Sequence, residues 1–451
     1  MADLQLFGTD GIRAKANFYP LNTTSLMQLG KSLAEFTKKR VKPNPNRSYK
    51  VIIAKDTRRS GYMIEQILTG AFLSRGVDVM TVGPMPTPAL SHLVRSFALD
   101  LGIMITASHN PYYDNGIKIF ANDGAKLTKD EEITVENFYF KTSFNGNEDV
   151  GRAKRIENAA GRYIEFIKAT ADNISLAGFK IVVDCANGAA YNSAPDVFSE
   201  LGAKVIPIGI DPNGYNINDN CGALYPEHVK AAVIKEKADL GIALDGDADR
   251  VIMVDEKGNI IDGNYITALL AKYLLEKRKL RKNTVVVTTY SNLALDFELQ
   301  NFGIKVVKVV NGDHEISAMC RERGYNFGGE FSGHFIFFDF TETGDGTLTA
   351  LMVLKVMQEK KQSLSKLAYT FKKFPQKIFN VAVKDKKPLE ELPEFLQKLK
   401  SWDKKFQRRG RVFVRYSGTE NLLRIMVESE KEADVNNAGE ELSKLAKKLL
   451  N

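Results

Sequence analysis

The chain has 451 residues, 44% of them hydrophobic and 26% charged, a composition that excludes fibrous and disordered classes and calls for several hydrophobic cores instead of one. Its net charge of +8 suits an enzyme acting on phosphate-bearing substrates as well as a polyanion binder, so charge alone does not choose. No nucleic-acid-binding module is recognisable, and no nucleic-acid partner is expected.

The first residues show no basic stretch followed by an apolar run, and no segment reaches the ~20 apolar residues of a membrane span. A cytoplasmic chain without a membrane partner is expected. A β-branched run at 50–54, a helix-like stretch ending at Gly76 and a second β-rich run at 77–79 make the first strand–helix–strand unit. The arrangement recurs around 180–184, Gly202 and 203–205, and again around 284–287, Gly303 and 304–306. That spacing belongs to whole domains, not to a solenoid. Short apolar strands alternating with amphipathic helices imply parallel strands covered on both faces, with ligands gathering at the carboxyl ends of the strands.

Each unit then offers a third strand that opens into a polar loop. Residues 101–105 open into Thr106-Ala107-Ser108-His109-Asn110-Pro111, residues 240–244 into Asp245-Gly246-Asp247-Ala248-Asp249-Arg250, and residues 325–328 into Gly329-Glu330-Phe331-Ser332-Gly333-His334. After residue 366 the pattern changes to a strand at 378–383, a helix at 389–399, two strands around 415–421 and a closing helix near 430–450. The expected fold is therefore α/β. Three related doubly wound domains at 1–150, 151–254 and 255–366 precede a smaller α+β domain at 367–451. Cys185, Cys221 and Cys320 are scattered, lack metal or redox spacing, and read as buried or free thiols.

The carboxylates of Asp245, Asp247 and Asp249 stand at alternate positions and can turn toward one point, where a hard cation would offset their repulsion. An EF-hand calcium loop is the rival, because Glu256 falls at the twelfth position. Against it, Arg250 occupies the place that needs glycine, and 251–254 reads as a buried strand, so magnesium is favoured. A lone loop serine is ordinarily a turn residue. Ser108 has polar neighbours in His109 and Asn110, and the turn expected at Asp114-Asn115-Gly116 would return Lys118 toward it, opposite in side to Ile117 and Ile119. The segment from Arg415 through Ser417, Gly418 and Thr419, with Arg424 shortly after, is a candidate phosphate cradle whose plainer reading is a hairpin connection. The absence of a Walker-type loop removes support for nucleotide-driven transfer.

Together with Phe7-Gly8-Thr9-Asp10-Gly11-Ile12-Arg13 at the start, these motifs resemble the α-D-phosphohexomutase family in order and over essentially the whole chain. The resemblance implies four domains around a central cleft, with Ser108 as a phosphoserine that, with Asp245, Asp247 and Asp249, binds one Mg2+ ion. It places Arg13, His109, Lys118 and Arg250 near the transferring phosphoryl group, Lys118 as general acid/base. Gly329, Glu330 and Ser332 would contact the sugar, and Arg415, Ser417, Gly418, Thr419 and Arg424 the phosphate that is not transferred. It implies a small phosphosugar as partner, a hexose or hexosamine 1,6-bisphosphate as activator, and a monomer or homodimer.

Asp56-Thr57-Arg58-Arg59-Ser60-Gly61, Asn216-Ile217-Asn218 with Cys221-Gly222 and Pro226-Glu227, and Thr343-Gly344-Asp345-Gly346 resemble the branch of that family acting on glucosamine phosphates. Interconversion of glucosamine 6-phosphate and glucosamine 1-phosphate, toward UDP-N-acetylglucosamine, is the activity so implied. Ala14, Tyr416, Asn421 and His314 depart from the usual pattern of that branch and bear on sugar preference and cleft closure. Mannose or glucose phosphates are the alternative substrates. A non-catalytic phosphosugar-binding protein is the alternative of another class, although it would have little need for Ser108 beside three aspartates.

Overall fold

The computed structural model describes residues 4–42, 47–146, 148–310, 312–417 and 421–451. It divides into two compact units, Met1–Thr289 with Ile304–Ala368 and Tyr290–Gly303 with Tyr369–Asn451.

Three sheets of one design build the larger unit. In the first, the strand Tyr49–Lys55 lies between Val77–Pro84 and Leu101–Ile105, parallel to both. In the second, Lys180–Asp184 lies in the same way between Lys204–Ile208 and Leu240–Leu244. In the third, Thr284–Thr288 lies between Lys305–Val309 and Phe327–Gly329. The repeat legible in the sequence is this shared topology. Each sheet also carries an element that a purely parallel design leaves out. The strand after the polar loop, Asp114–Ala121, Val251–Asp255 or Phe335–Phe337, returns antiparallel to the third strand. A polar loop therefore ends as a hairpin, and both of its ends are fixed in a sheet.

The central strands are apolar on both sides because helices cover both faces. Val51 and Ile53 pack with Leu26, Leu33, Ile64, Leu68 and Phe72 from the helices Thr23–Arg40 and Ser60–Leu73. Each such buried side chain contributes about 1.5–3 kcal/mol relative to exposure. The helix Thr23–Arg40 begins where the Asn22 carboxamide accepts from the Ser25 amide at 2.9 Å, and ends on Lys38, Lys39 and Arg40, which complement its dipole. The helix Lys129–Lys141 starts with a full capping box between Thr128 and Glu131.

The smaller unit has a three-stranded antiparallel sheet in which Leu422–Ser429 lies between Gln376–Ala382 and Gly410–Tyr416. Helices Pro393–Phe406 and Glu432–Leu450 bury Phe395, Trp402, Ala438 and Leu442 against Val381, Leu423 and Ile425. The helix expected from Leu389 begins instead as a single 3-10 turn at Leu389–Glu391, and regular helix starts at Pro393. Proline has no amide to give to a preceding turn, so it suits the first helical position. In the same unit Glu428, fully buried, accepts from the Leu293 amide at 2.8 Å and from Arg411 Nε at 2.6 Å. No helix among the described residues is long and apolar enough to cross a membrane.

Candidate active site

The polar loops leave the carboxyl ends of Leu101–Ile105, Leu240–Leu244 and Phe327–Gly329, and within the larger unit they meet. Ser108 is fully buried and its hydroxyl donates to Asp245 Oδ2 at 2.7 Å, with His109 Nδ1 at 3.3 Å. Its backbone is left-handed at φ 50°, a conformation that strains a residue with a Cβ and persists only where the surroundings hold it. Here Thr106 Oγ1 accepts from the Ser108 amide at 2.9 Å.

The chain reversal that returns Lys118 falls earlier than the turn expected at Asp114-Asn115-Gly116. The Asp114 amide closes a turn onto the Pro111 carbonyl at 3.2 Å, while Asn115 and Gly116 already pair with Ala14 and Arg13 as strand residues. Gly116 is needed for space, because a Cβ there would lie 2.5 Å from the Thr106 carbonyl oxygen and 2.7 Å from that of Ile12. Ile117 and Ile119 face the first core, and Lys118 points to the opposite side. Its Nζ lies 2.9 Å from Asp247 Oδ2, 3.0 Å from Asp249 Oδ2 and 3.2 Å from Asp10 Oδ2.

Asp245, Asp247 and Asp249 are all buried, and they bring one carboxylate oxygen each within 4.8 Å of the others. Burial and the charges of Asp249 and Asp247 push Asp245 up to about 8. Asp247 Oδ1 and Asp249 Oδ1 are buried without a hydrogen-bond partner among the described residues, His334 Nδ1 standing 3.7 Å and Arg250 Nε 3.9 Å from the latter, an arrangement costly for carboxylates unless a cation meets them. Oxygen donors of this kind fit a hard divalent ion.

The cations around this cluster are linked by charge. Burial would lower Lys118, but Asp10, Asp247 and Asp249 more than offset it and hold the ammonium well above its ordinary range. Asp10 is itself held low despite burial by Lys118, Lys126 and Arg13, whose Nη2 donates to Asp10 Oδ2 at 2.5 Å. His109 is pushed down to about 4 by burial and by Arg250 and Arg13, so the ring is neutral near pH 7. Arg250 Nη1 donates to His109 Nδ1 at 3.0 Å.

The third loop joins the second through a bridge between Arg250 and His334, and the Val251 amide donates to the Gly333 carbonyl at 2.9 Å. Glu330 is buried, accepting from the Gly312 amide at 3.2 Å and from Ser332 Oγ at 2.8 Å. Gly329 is the last residue of its strand, with the Phe335 ring where a Cβ would stand. In the smaller unit Arg415 and Arg424 face each other across the hairpin, and Arg415 lies 5.5 Å from the Tyr290 ring. Ser417 is buried and its carbonyl accepts from Lys386 Nζ at 2.8 Å. Gly418 and Thr419 lie outside the described residues.

Several participants are not announced by the sequence as site residues. Thr87 Oγ1 donates to Asp247 Oδ2 at 2.5 Å, and Lys126 Nζ to Asp10 Oδ1 at 2.5 Å as well as to Asp313. Asp10 stands inside a recognisable motif, but nothing in its spacing reveals its contacts. Thr87 and Lys126 carry no signal at all.

Family models for the phosphoglucomutase/phosphomannomutase domains match residues 4–146 (alpha/beta/alpha domain I), 161–258 (domain II), 262–374 (domain III) and 379–445 (C-terminal domain). The phosphoglucosamine mutase of Geobacter metallireducens is 46% identical over 98% of this chain and 98% of its own length. That of Myxococcus xanthus is 49% identical over 95% and 94%. Among solved structures, a phosphoglucomutase/phosphomannomutase family protein from Burkholderia thailandensis shares the fold at a TM-score of 0.82 and 23% identity, covering 99% of this chain and 98% of its own. An Aspergillus fumigatus N-acetylphosphoglucosamine mutase, solved with GlcNAc-6P and magnesium, does so at 0.67 and 17%, covering 100% and 96%. The chain belongs to the phosphoglucomutase/phosphomannomutase family, the α-D-phosphohexomutases.

Proposed function

We propose that the chain interconverts glucosamine 6-phosphate and glucosamine 1-phosphate, the activity of a phosphoglucosamine mutase. The carrying observation is 46% and 49% identity, over 98% and 95% of the chain, to two curated phosphoglucosamine mutases.

In this reading phosphorylated Ser108 gives its phosphoryl group to the free hydroxyl of the sugar phosphate, breaking the Oγ–P bond and forming the 1,6-bisphosphate. The bisphosphate turns around, and its other phosphoryl group returns to Oγ. A hexose or hexosamine 1,6-bisphosphate would first load the serine. One Mg2+, held by Asp245, Asp247, Asp249 and the phosphorylated Ser108, would offset the charge developing on the transferring group. Lys118, protonated in its ring of carboxylates, donates a proton to the departing Oγ and is reprotonated by the attacking sugar hydroxyl, and the second transfer runs the same relay in reverse. Neutral His109, accepting at Nδ1 from Arg250, presents its other ring nitrogen as a donor to phosphoryl oxygens. Arg13 and Arg250 add fixed positive charge. Gly329, Glu330 and Ser332 form the loop assigned to the sugar, and Arg415, Ser417, Gly418, Thr419 and Arg424 the segment assigned to the non-reacting phosphate.

The test is a coupled assay comparing glucosamine 6-phosphate, glucose 1-phosphate and mannose 1-phosphate, with Mg2+ and a trace of hexose 1,6-bisphosphate. The highest kcat/KM falls on the glucosamine phosphate, and Ser108→Ala abolishes turnover of every sugar. Preference for another sugar overturns the substrate assignment, and undiminished activity in Ser108→Ala overturns the mechanism.

A further inference from the structure

Two buried side chains outside the reacting set grip the loop of Ser108 from behind. Arg58 is fully buried, as is its ion-pair partner Asp56. Its Nη2 donates to the Ser108 carbonyl at 3.2 Å and also to the Asn110 carbonyl. Asn218, from the second sheet's side of the unit, sends Nδ2 to the same two carbonyls at 2.9 and 3.3 Å. The Ser108 carbonyl also presses on the metal loop. A Cβ at Gly246 would lie 2.6 Å from that oxygen and 2.8 Å from Asn218 Nδ2.

A buried guanidinium is costly unless its charge and donors are used. Asp56 meets the charge at Nη1, and Nη2 goes to two backbone oxygens that bracket the nucleophile, while Nε has no hydrogen-bond partner among the described residues. Serine does not hold φ 50° by preference, so something must retain the Ser108 peptide in that state. Four hydrogen bonds from two side chains to the carbonyls of residues 108 and 110 do so. They hold both carbonyl oxygens on Arg58 and Asn218, with that of Ser108 against Gly246 of the metal loop.

We infer that Arg58 and Asn218 are positioning residues for phosphoryl transfer, a two-sided clamp that fixes the left-handed Ser108 peptide in register with the Asp245 loop. The inference rests on Ser108 being the phosphoryl carrier. Its expected signature is a loss in the transfer step without a loss in sugar binding, because neither side chain is assigned to the sugar. Misplacing a reacting atom by about 1 Å costs on the order of 100-fold in rate.

The experiment compares the wild-type chain with Arg58→Lys, which keeps a charge for Asp56 but not the planar fork, and with Asn218→Gly. Asn218 has φ 57°, so glycine there deletes the donor without adding strain. Quenched-flow mixing with glucose 1,6-bisphosphate and Mg2+ measures the rate at which Ser108 gains phosphate, located by peptide mass spectrometry, and steady-state assays give kcat and KM. Each variant is expected to load Ser108 and turn over roughly 10- to 100-fold more slowly, with KM for the sugar phosphate changed less than about threefold. Loading of Ser108 at the wild-type rate in both variants, or a raised KM with unchanged kcat, overturns the clamp while leaving Ser108 as carrier. Absence of phosphate on Ser108 in the wild-type chain overturns both. Should Arg58→Lys not fold, the Asn218→Gly result decides alone.

Discussion

Asp245 joins three things that are separable by experiment: a buried carboxylate, two like-charged neighbours and a serine hydroxyl 2.7 Å away. With its carboxyl raised to about 8, the folded chain without a cation holds a proton there that the unfolded chain has released above its ordinary carboxylate range. The native state then binds more protons than the unfolded state, so this group's stabilisation is present at low pH and is lost as pH rises toward 8. A divalent cation must displace that proton, and its affinity rises with pH. Melting curves in EDTA and in excess Mg2+ should show a larger cation-induced rise in Tm near pH 8 than near pH 6. Equal rises at both would mean the cation does not meet Asp245. His109 has the opposite sign for its type. Lowered to about 4, it favours the folded state above the ordinary imidazole range, and that contribution is lost as pH falls from about 6.5 toward 4. Replacing Lys118 by Met removes the ammonium shared by Asp10, Asp247 and Asp249. In the proposed acid/base role this lowers kcat by roughly 100- to 10,000-fold, measured with saturating sugar phosphate.

At the scale of elements, features set by periodicity are legible in the sequence, and features set by close approach are not. Three strand–helix–strand units and their polar third loops stand out because apolar runs and glycines recur in one order. The alternation of Lys118 with Ile117 and Ile119 shows the return strand, but its start at Asp114 is hidden because Asn115-Gly116 has turn chemistry in isolation. The constraint that acts there is steric, since Gly116 fits between the carbonyls of Thr106 and Ile12. Gly116→Ala should therefore cost about 1–3 kcal/mol, measured by urea unfolding, and should also lower activity by displacing Lys118. A substitution that leaves both unchanged would contradict that account of the strand. Phe72→Ala, in the core beneath the same sheet, is expected to cost about 3–5 kcal/mol by the same measurement. The three aspartates are legible as a metal loop from their alternation alone, whereas Ser108 by itself reads as a turn residue and takes its role from the family resemblance. The clamp of Arg58 and Asn218 is illegible, because residues 58, 108 and 218 become neighbours only through the fold.

For the whole molecule, the family is fixed by matches running from residue 4 to residue 445, while the sugar is a finer matter. The residues assigned to the non-reacting phosphate give a direct expectation. Arg415→Ala should raise KM for the sugar phosphate by roughly 10- to 100-fold, because a charge-assisted pair to phosphate contributes about 1.5–3 kcal/mol. An unchanged KM would remove that segment from the phosphate site. The central claim is that Ser108 carries the phosphoryl group between the two positions of the sugar. It is tested most directly by loading the chain with labelled hexose 1,6-bisphosphate, mapping the label by peptide mass spectrometry, and then adding unlabelled glucosamine 6-phosphate. The account predicts label on Ser108 that passes to the sugar during the chase. Label that never reaches Ser108, or that stays there while product forms, would contradict it.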